Sequence, residues 1–332
     1  MISSNPYTVE PFQPADAEKV SSLFSEVYGD AYPIKTVYDP EQLVAAFETR
    51  RYFPFLVRTP SNMIIGYGAL YNSAPYKGIF EFGQGVVSPD FRSAGIGRLM
   101  FEYVAEYAPA LPGSEMYFGE AVCNHTHTQK AGALIQTIET GIEVDLMPGE
   151  VYDKFKKTSG RVAALDMFRT FVPKPHTVYV PEVYENIFRY IYGGFDDTRK
   201  LAVSAGESPS AQATQISAQI FDFAGVARIA VTMAGDDFEQ AFDTEEHVII
   251  NRQIGVIQVW LKLSCPWIRK SVEVLRRRGY FFGGLFPRWF DEDGLLVQKI
   301  IGQPNWEEIH LYSARSEKIL SFIYDDWRNT HK

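Results

Sequence analysis

Residues 86–104 read VVSPDFRSAGIGRLMFEYV, and this stretch decides the fold that the sequence predicts. An apolar run typical of a strand leads through Pro89 to a loop with two alternate glycines, Gly95 and Gly97. An amphipathic helix pattern then follows without a break. Glycine at the start of a helix costs backbone entropy and provides no capping oxygen, which Ser or Asp would provide. The two glycines therefore indicate that a ligand comes close to this backbone.

The composition of the loop favours an anion as that ligand. The N–H groups of a first helical turn have no acceptor within the helix, and the helix dipole favours negative charge there. Gly95 and Gly97 leave room for a phosphate, and Arg92 and Arg98 supply positive charge. A dinucleotide loop would need Gly-x-Gly-x-x-Gly after the first strand, and a P-loop would need Gly-Lys-Ser/Thr. The sequence has neither pattern at this point.

The segments around this loop predict a mixed α/β sheet. Apolar alternation and turn residues mark the strands, and helical spacing of apolar residues marks the helices. The predicted order is strand, helix, helix, three strands, helix, strand and helix, with approximate bounds 7–11, 14–29, 40–49, 51–59, 63–71, 78–87, 96–108, 115–122 and 124–137.

The length of 332 residues predicts two domains. We place the first at residues 1–155, a basic and irregular linker at 156–175, and the second at 176–332. Residues 121–148 and 261–287 share one pattern, in which a strand, a Cys-containing turn, a helix, a Gly-bearing strand and a Pro follow each other. This weak internal repeat favours a duplicated domain.

The overall composition excludes several functional classes. A net charge of −9 and a pI near 5.3 disfavour nucleic acid as the main partner, because phosphate binding needs a basic field. The two cysteines, Cys123 and Cys265, have neither disulfide-framework nor zinc spacing. The sequence shows no secretory pattern and no apolar run of membrane-spanning length. We expect a soluble cytoplasmic protein with no membrane or nucleic-acid partner, and homodimer formation stays open.

Val87-x-Pro89 followed by Arg92-x-x-Gly95-x-Gly97 and a helix resembles motif A of the GCN5-related N-acetyltransferase (GNAT) superfamily. The element order of residues 5–150 also resembles that family. The resemblance implies that the loop amides bind the pyrophosphate of acetyl-CoA and that the preceding strand pairs with the pantetheine arm. The residues implied in cofactor binding are Val86, Val87, Arg92, Ser93, Ala94, Gly95, Ile96, Gly97 and Arg98.

Acyl transfer to an amine needs a base for the amine and a donor for the oxyanion. The resemblance implies that the backbone N–H of Val87 is that donor. Glu81 lies six residues before Val87, so a regular strand would place both on one face, and Glu81 is the first candidate for the base. Glu120, on the fifth strand, is the second candidate and would act through a water. The alternative for either carboxylate is a strand-end charge or a structural ion pair.

The turn after the fifth strand carries further candidates. His125 is a candidate proton carrier, and Asn124 would contact the cofactor by resemblance or serve as a helix cap. Cys123, His125 and His127 together leave a zinc site conceivable, but their spacing is weak evidence and we predict no metal. Cys123 beside His125 also leaves a covalent acyl-enzyme open.

Departures from the family pattern lie in its motif B. Gly132 stands where a tyrosine usually protonates the departing thiolate, and Gln136-Thr137 replaces the usual Gly-Phe pair. Tyr103 or a water would have to take that role. The second half has the Gly279-Tyr280 pair but no glycine loop upstream, so we interpret it as a degenerate GNAT-like domain in a tandem arrangement.

The resulting hypothesis is an acetyl-CoA-dependent N-acetyltransferase that acts by direct attack of a primary amine. Tyr28 and Tyr32 lie where the family contacts the acceptor, a small-molecule or peptide amine, although packing in the core is the commoner role of a tyrosine. The alternative is a catalytically silent acyl-CoA sensor or partner-binding module, which the missing tyrosine favours.

Overall fold

The computed structural model describes residues 6–152, 160–195, 198–204 and 211–332. The chain divides into two compact units. The N-unit contains residues 1–120 and 130–137, and the C-unit contains residues 121–129 and 138–332. The mixed α/β class predicted from the sequence is confirmed in both.

The N-unit contains a sheet with strand order β1-β2-β3-β4-β5. Only β4 and β5 are parallel among these pairs, because the connection between them runs through a helix. The strands are β1 (Thr8–Pro11), β2 (Tyr52–Arg58), β3 (Ile64–Tyr71), β4 (Ile79–Val87) and β5 (Met116–Val122), whose last two residues belong to the C-unit. The helices are α1 (Ala17–Tyr28), α2 (Pro40–Glu48), α3 (Ile96–Tyr107) and α4 (His127–Leu134), which begins in the C-unit.

The C-unit contains a sheet of order β7-β6-β13-β14-β12-β11-β10 and a separate parallel pair, β8-β9. Its strands are β6 (Ile138–Pro148), β7 (Arg161–Thr170), β8 (His176–Val180), β9 (Arg199–Val203), β10 (Gln215–Phe221), β11 (Val226–Met233), β12 (Val256–Lys262), β13 (Phe281–Phe286) and β14 (Gly294–Ile300). Its helices are α5 (Glu185–Tyr192), α6 (Phe238–Asn251), α7 (Ile268–Arg277) and α8 (Ala314–Thr330).

One topological unit occurs twice along the chain. An antiparallel pair, β3-β4, leads through α3 to the parallel neighbour β5, and β10-β11 leads in the same way through α6 to β12. In both cases a helix and an antiparallel strand pair follow, β6-β7 after α4 and β13-β14 after α7. This repetition supports the duplicated-domain hypothesis, which stays a proposal.

The predicted linker at 156–175 is wrong where β7 lies. Seven consecutive residues of β7, from Val162 to Phe168, are buried, and the strand pairs antiparallel with β6. A strand buried on both faces has no apolar-polar alternation, so the run VAALDMF did not show the period of a half-exposed strand. Of the basic residues that suggested a linker, Arg161 begins β7, and Lys154, Lys156 and Lys157 lie outside the described residues. The two compact units also divide at Glu120 and Thr137 rather than at residue 155.

A buried charge cluster joins β8 and β9 to the turn before β14. Asp293 is fully buried, and its carboxylate accepts hydrogen bonds from Arg199 Nε at 2.6 Å and from the backbone N–H of Arg288 at 2.8 Å. His176 Nε2 lies 3.1 Å from Asp293 Oδ1, and His176 Nδ1 lies 2.6 Å from the carbonyl oxygen of Lys174. Because both ring nitrogens face acceptors, both need a proton, and His176 is an imidazolium in this arrangement.

The stability of the C-unit is expected to fall as the pH rises above neutrality. Burial acts to lower the pKa of His176, but Asp293 and the Lys174 carbonyl outweigh it and raise the pKa above 6.5. A raised pKa stabilises the fold fully below the unfolded value and loses that contribution as the pH rises through the folded value. All five tryptophans lie in the C-unit, so denaturant unfolding followed by tryptophan fluorescence reports on this unit.

The control for this prediction is His176→Gln, which cannot titrate. The variant is expected to lose about 1.5–3 kcal/mol of unfolding free energy at pH 6, the usual range for a hydrogen bond to a charged group. Its unfolding free energy should change less between pH 6 and pH 8 than that of the wild type. Equal pH slopes for the two proteins would show that the pKa of His176 does not change on folding, and a wild-type unfolding free energy that rises with pH relative to the variant would show that His176 is neutral in the folded state.

Candidate active site

The glycine loop connects the end of β4 to the start of α3. Gly95 precedes the helix with φ of 77° and ψ of 13°, a left-handed conformation that glycine adopts without strain. The first helical hydrogen bond runs from the Leu99 N–H to the Gly95 carbonyl, so the N–H groups of Ile96, Gly97 and Arg98 precede the helical ladder. Three donors therefore lie together at the positive end of the helix dipole.

The space in front of this helix end is open. Arg92, Ser93, Ala94 and Gly95 are exposed. Among the described residues, no heavy atom outside the immediate chain neighbours and the local helix backbone lies within 4 Å of a Cβ built on Gly95 or Gly97. The backbone conformation explains glycine at position 95, but neither crowding nor a positive φ explains it at position 97.

Two arginines border the opening. Arg98 Nε donates to Glu102 Oε1 at 2.7 Å, but both side chains are largely exposed, so this ion pair contributes little and can exchange for another anion. Arg92 lies close enough to Tyr28 to oppose the rise in that residue's pKa, which burial takes to about 12. The phenol of Tyr28 therefore stays protonated at neutral pH beside a guanidinium.

A bulge in β4 changes which residues share a face of the sheet. Tyr71 pairs with Glu81, and Tyr67 pairs with Val86. Tyr67 and Tyr71 are four positions apart on β3, whereas their partners are five positions apart on β4, so β4 contains one extra residue. Gln84 lies in the bulge with φ of 55°. Glu81 therefore shares its face with Val86 and not with Val87, which corrects the expectation from a regular strand.

The two faces have different coverings. Tyr67, Ala69 and Val86 form an apolar cluster with α1 and α2, and we call this side the α1–α2 face. On the opposite face, a Cβ at Gly66 would meet Ile96, and a Cβ at Gly68 would meet Met100, both in α3.

The middle of β4 is open although the strand lies between β3 and β5. Residues 81–84 are half-buried and Gly85 is exposed, whereas Ile79 and Phe80 are buried. In the described part of the chain, the ladder between β4 and β5 runs from Ile79–Met116 to Glu81–Phe118 and stops there. A central strand is normally covered on both sides, so this exposure marks a cleft where the two strands separate.

Glu81 lies at that point of separation. The hydroxyl of Tyr71 donates to Glu81 Oε1 at 2.5 Å, and burial with the charges of Glu81 and Glu120 raises the pKa of Tyr71 well above 10. Tyr71 is thus a permanent donor that fixes the carboxylate. Glu120 follows Phe118, the partner of Glu81, by two residues and so lies on the same face. The structure brings the two predicted carboxylates together around Tyr71.

Further hydroxyls accompany this pair on the α1–α2 face. The hydroxyl of Tyr52 makes short hydrogen bonds with Tyr67 and with Gln84 Oε1. Tyr52, Tyr67 and Tyr71 were not predicted from the sequence as site residues. The available signal was the two-residue period of Tyr67, Ala69 and Tyr71, which places both tyrosines on one side of β3.

The turn of residues 123–127 belongs to the C-unit and is tightly held. Cys123 is fully buried, and burial with the nearby charge of Asp166 raises the pKa of its thiol, so the covalent route has no reactive thiolate here. Asn124 is buried, but α4 begins at His127, so Asn124 is not its cap. The rings of His125 and His127 lie 5.2 Å apart, and with Cys123 they do not form a group of convergent metal ligands.

Gln129 anchors this turn, a role that was not predicted from the sequence. Its amide donates to the carbonyl oxygens of His310 at 2.8 Å and His125 at 3.2 Å, and its oxygen accepts from the Tyr312 N–H at 2.9 Å. The side-chain amide of Gln129 thus hydrogen-bonds to the backbone of the segment before α8 through both its donor and its acceptor.

Tyr103 does not lie with the carboxylates. Its ring packs 5.0 Å from Phe55 and 4.9 Å from Tyr107, between ring centroids. Phe55 pairs with Gly68, which belongs to the face covered by α3. Tyr103 is therefore on the opposite side of the sheet from Glu81 and is a poor candidate for the acid that Gly132 cannot supply.

Comparison with known proteins agrees with the prediction from the glycine loop. Residues 17–130 match the family described as acetyltransferase (GNAT) family. This match contains α1, the loop and the turn after β5, and it covers the segment whose glycine loop resembles motif A of that family. No curated protein matches the chain.

Solved structures are similar to about half of the chain. A spermidine N-acetyltransferase from Vibrio cholerae has 13% identity and a TM-score of 0.40, covering 50% of this chain and 94% of its own. A ribosomal-protein-S18-alanine N-acetyltransferase from Escherichia coli has 14% identity and a TM-score of 0.38, covering 51% and 96%. A phosphinothricin acetyltransferase from Sinorhizobium meliloti, in complex with AcCoA, has 16% identity and a TM-score of 0.41, covering 50% and 89%. Among the described residues of the present chain, no helix is long and apolar enough to cross a membrane.

Proposed function

We propose that this protein transfers an acetyl group from acetyl-CoA to a primary amine, on a small molecule or a peptide, by direct attack. The observation that carries the proposal is the open, glycine-bearing start of α3 within the region that matches the acetyltransferase family. The residues there fit a pyrophosphate, because three N–H donors lie at the helix start between the exposed Arg92 and Arg98, and no heavy atom of the described residues lies within 4 Å of a Cβ built at either glycine.

The rest of the cofactor would lie along β4. Beyond Glu81 the ladder with β5 stops, so backbone groups near Val86 and Val87 are available to an extended amide-bearing chain such as pantetheine. The bulge at Gln84 turns this part of the strand away from regular pairing. The Val87 N–H remains our candidate donor to the oxyanion.

Glu81 is the proposed base. The attacking amine must lose a proton, and a carboxylate held by Tyr71 at the mouth of the cleft is placed to accept it, directly or through a water. Glu120 lies on the same face and would hold the positive charge of the incoming ammonium. His125 stays a secondary candidate, and the departing thiolate would take its proton from water.

The C-unit is proposed to be a degenerate copy that does not bind acyl-CoA. By the repeated topology, the start of α6 corresponds to the start of α3, and it carries Asp236 and Asp237. The carboxylate of Asp237 accepts hydrogen bonds from the N–H and hydroxyl of Thr214, at 2.8 and 2.6 Å, and these lower its pKa. A fixed negative charge at this helix end repels a phosphate.

A silent acyl-CoA sensor is the second candidate, because Gly132 replaces the usual acid. Calorimetric titration with acetyl-CoA, followed by a thiol-release assay with a panel of amines, separates the two. Binding with amine-dependent thiol release supports the transferase. Binding without release from any amine supports the sensor, and no binding contradicts both.

Gly97→Ala is expected to stabilise the free protein and weaken its binding of acetyl-CoA. The added methyl meets open space and improves helix propensity, so the unfolding free energy should rise by about 0.5–1 kcal/mol. The same methyl occupies the place proposed for the pyrophosphate, so affinity should fall by about tenfold, which corresponds to about 1.4 kcal/mol. Circular dichroism melting and calorimetry measure the two effects. Stabilisation without loss of affinity would show that Gly97 does not face the cofactor.

A further inference from the structure

Five tyrosines lie together on the α1–α2 face of the N-unit, and we call them the tyrosine row: Tyr28, Tyr32, Tyr52, Tyr67 and Tyr71. The rings of Tyr28 and Tyr32 lie 4.9 Å apart, and those of Tyr52 and Tyr71 lie 6.0 Å apart. Tyr32 is near enough to Tyr67 and Tyr71 to raise the pKa of both phenols. The row is continuous, and all its members except Tyr67 are half-buried rather than enclosed.

The row has opposite charges at its two ends. At one end Tyr28 lies beside Arg92, which borders the glycine loop. At the other end Tyr71 lies beside the carboxylates of Glu81 and Glu120. A ligand that lies along the row therefore meets a positive field near the proposed pyrophosphate site and a negative field at the proposed base.

The walls between these ends are aromatic. The ring of Phe24 packs against the row, with its centroid 5.0 Å from that of Tyr32 and 5.2 Å from that of Tyr67. Aromatic faces bind flat apolar groups and stabilise an adjacent ammonium. Tyr28, Tyr32, Tyr52 and Tyr71 are partly exposed, so part of this aromatic surface is accessible to a ligand.

We propose that the acceptor is a primary amine with an aromatic or similarly flat apolar body and without a carboxylate beside the amine. Its ammonium would face Glu81 and Glu120, and its body would lie on the rings of Tyr32, Tyr52 and Tyr71. A carboxylate next to the amine would meet two like charges, so free amino acids are rejected by repulsion. This inference rests on the proposed function, since it names the substrate class of the same site.

Four amines test the two parts of this proposal in the thiol-release assay. Phenethylamine and phenylalanine share a body and differ in the carboxylate, and butylamine has no ring. Phenylalanine amide has a neutral carboxamide in place of the carboxylate of phenylalanine, so it controls for the size of that group without its charge. We expect kcat/KM for phenethylamine to exceed that for butylamine by about tenfold and that for phenylalanine by about 100-fold or more. The value for phenylalanine amide should lie between those for phenethylamine and phenylalanine.

Variants assign these preferences to residues. Tyr32→Leu is expected to reduce the ratio of phenethylamine to butylamine several-fold, because it removes a ring face but keeps an apolar side chain. Glu120→Gln is expected to raise the ratio of kcat/KM for phenylalanine to kcat/KM for phenethylamine by about tenfold, because it removes one repelling charge. Retained acetyl-CoA affinity shows that each variant is folded.

The outcomes separate this inference from the proposed function. Equal kcat/KM for phenethylamine, butylamine and phenylalanine would overturn the inference while transferase activity stands. Thiol release from no amine would overturn the transferase. Calorimetry of the same amines in the presence of CoA then decides the inference by binding alone, and preference for phenethylamine upholds it while equal binding overturns it.

Discussion

Gly95→Asp is expected to lower the affinity of this protein for acetyl-CoA by about 100-fold or more. Gly95 directly precedes α3, and its Cα faces open space beside the first-turn N–H groups. A carboxylate there would oppose the pyrophosphate charge, and two like charges about 4 Å apart repel by about 4 kcal/mol near a protein surface. Since about 1.4 kcal/mol is a tenfold change in affinity, that repulsion is sufficient for the loss. Calorimetric titration of each protein with acetyl-CoA measures it.

Gly95→Asn is the matched control. Asn has the shape of Asp without the charge, and both tolerate the left-handed conformation at φ of 77° better than other side chains. Both variants therefore carry the same backbone strain. A much larger loss with Asp than with Asn would assign the effect to charge. Equal losses would mean that the backbone conformation alone matters, and unchanged binding by both would contradict the cofactor site.

The elements around the glycine loop could be predicted because each has a local signal. Pro40 after Asp39 marks the start of α2, and the structure shows Asp39 accepting hydrogen bonds from the N–H groups of Glu41 and Gln42. The segment Ile96–Tyr107 has its apolar stripe at helical spacing and forms α3 as predicted. These signals need only neighbours in sequence, so one chain is enough to read them.

Predicting the bulge in β4, the strand β7 and the role of Tyr71 needs information that is not local in the sequence. Nothing in EFGQGVV shows that β4 pairs with β3 in a register that places Val86 opposite Tyr67. The sequence could therefore not show whether Glu81 and Val87 lie on the same face of the sheet. The strand β7 was missed because burial on both faces removes the alternation that identifies a strand. Tyr71 was missed because the residue that it holds, Glu81, is ten positions away on another strand.

Glu81→Gln is expected to lower kcat by about 100- to 1,000-fold, the usual loss on removal of a general base. Gln keeps an oxygen that can accept the hydrogen bond of the Tyr71 hydroxyl, so the side chain should keep its position at the cleft. What it loses is the ability to take a proton from the attacking amine. The affinity for acetyl-CoA should stay within about twofold, because the glycine loop is untouched. Thiol release at saturating amine measures kcat.

Glu120→Gln separates the base from its neighbour. Both carboxylates act on Tyr71 and lie on one face, so simple loss of negative charge is common to the two variants. If Glu81 is the base, Glu120→Gln should raise KM for the amine and reduce kcat by less than about tenfold, because it removes attraction but not proton transfer. The reverse order of the two kcat losses would assign the base to Glu120. Equal small losses would remove both from proton transfer and leave orientation of the amine against the thioester as the main source of rate.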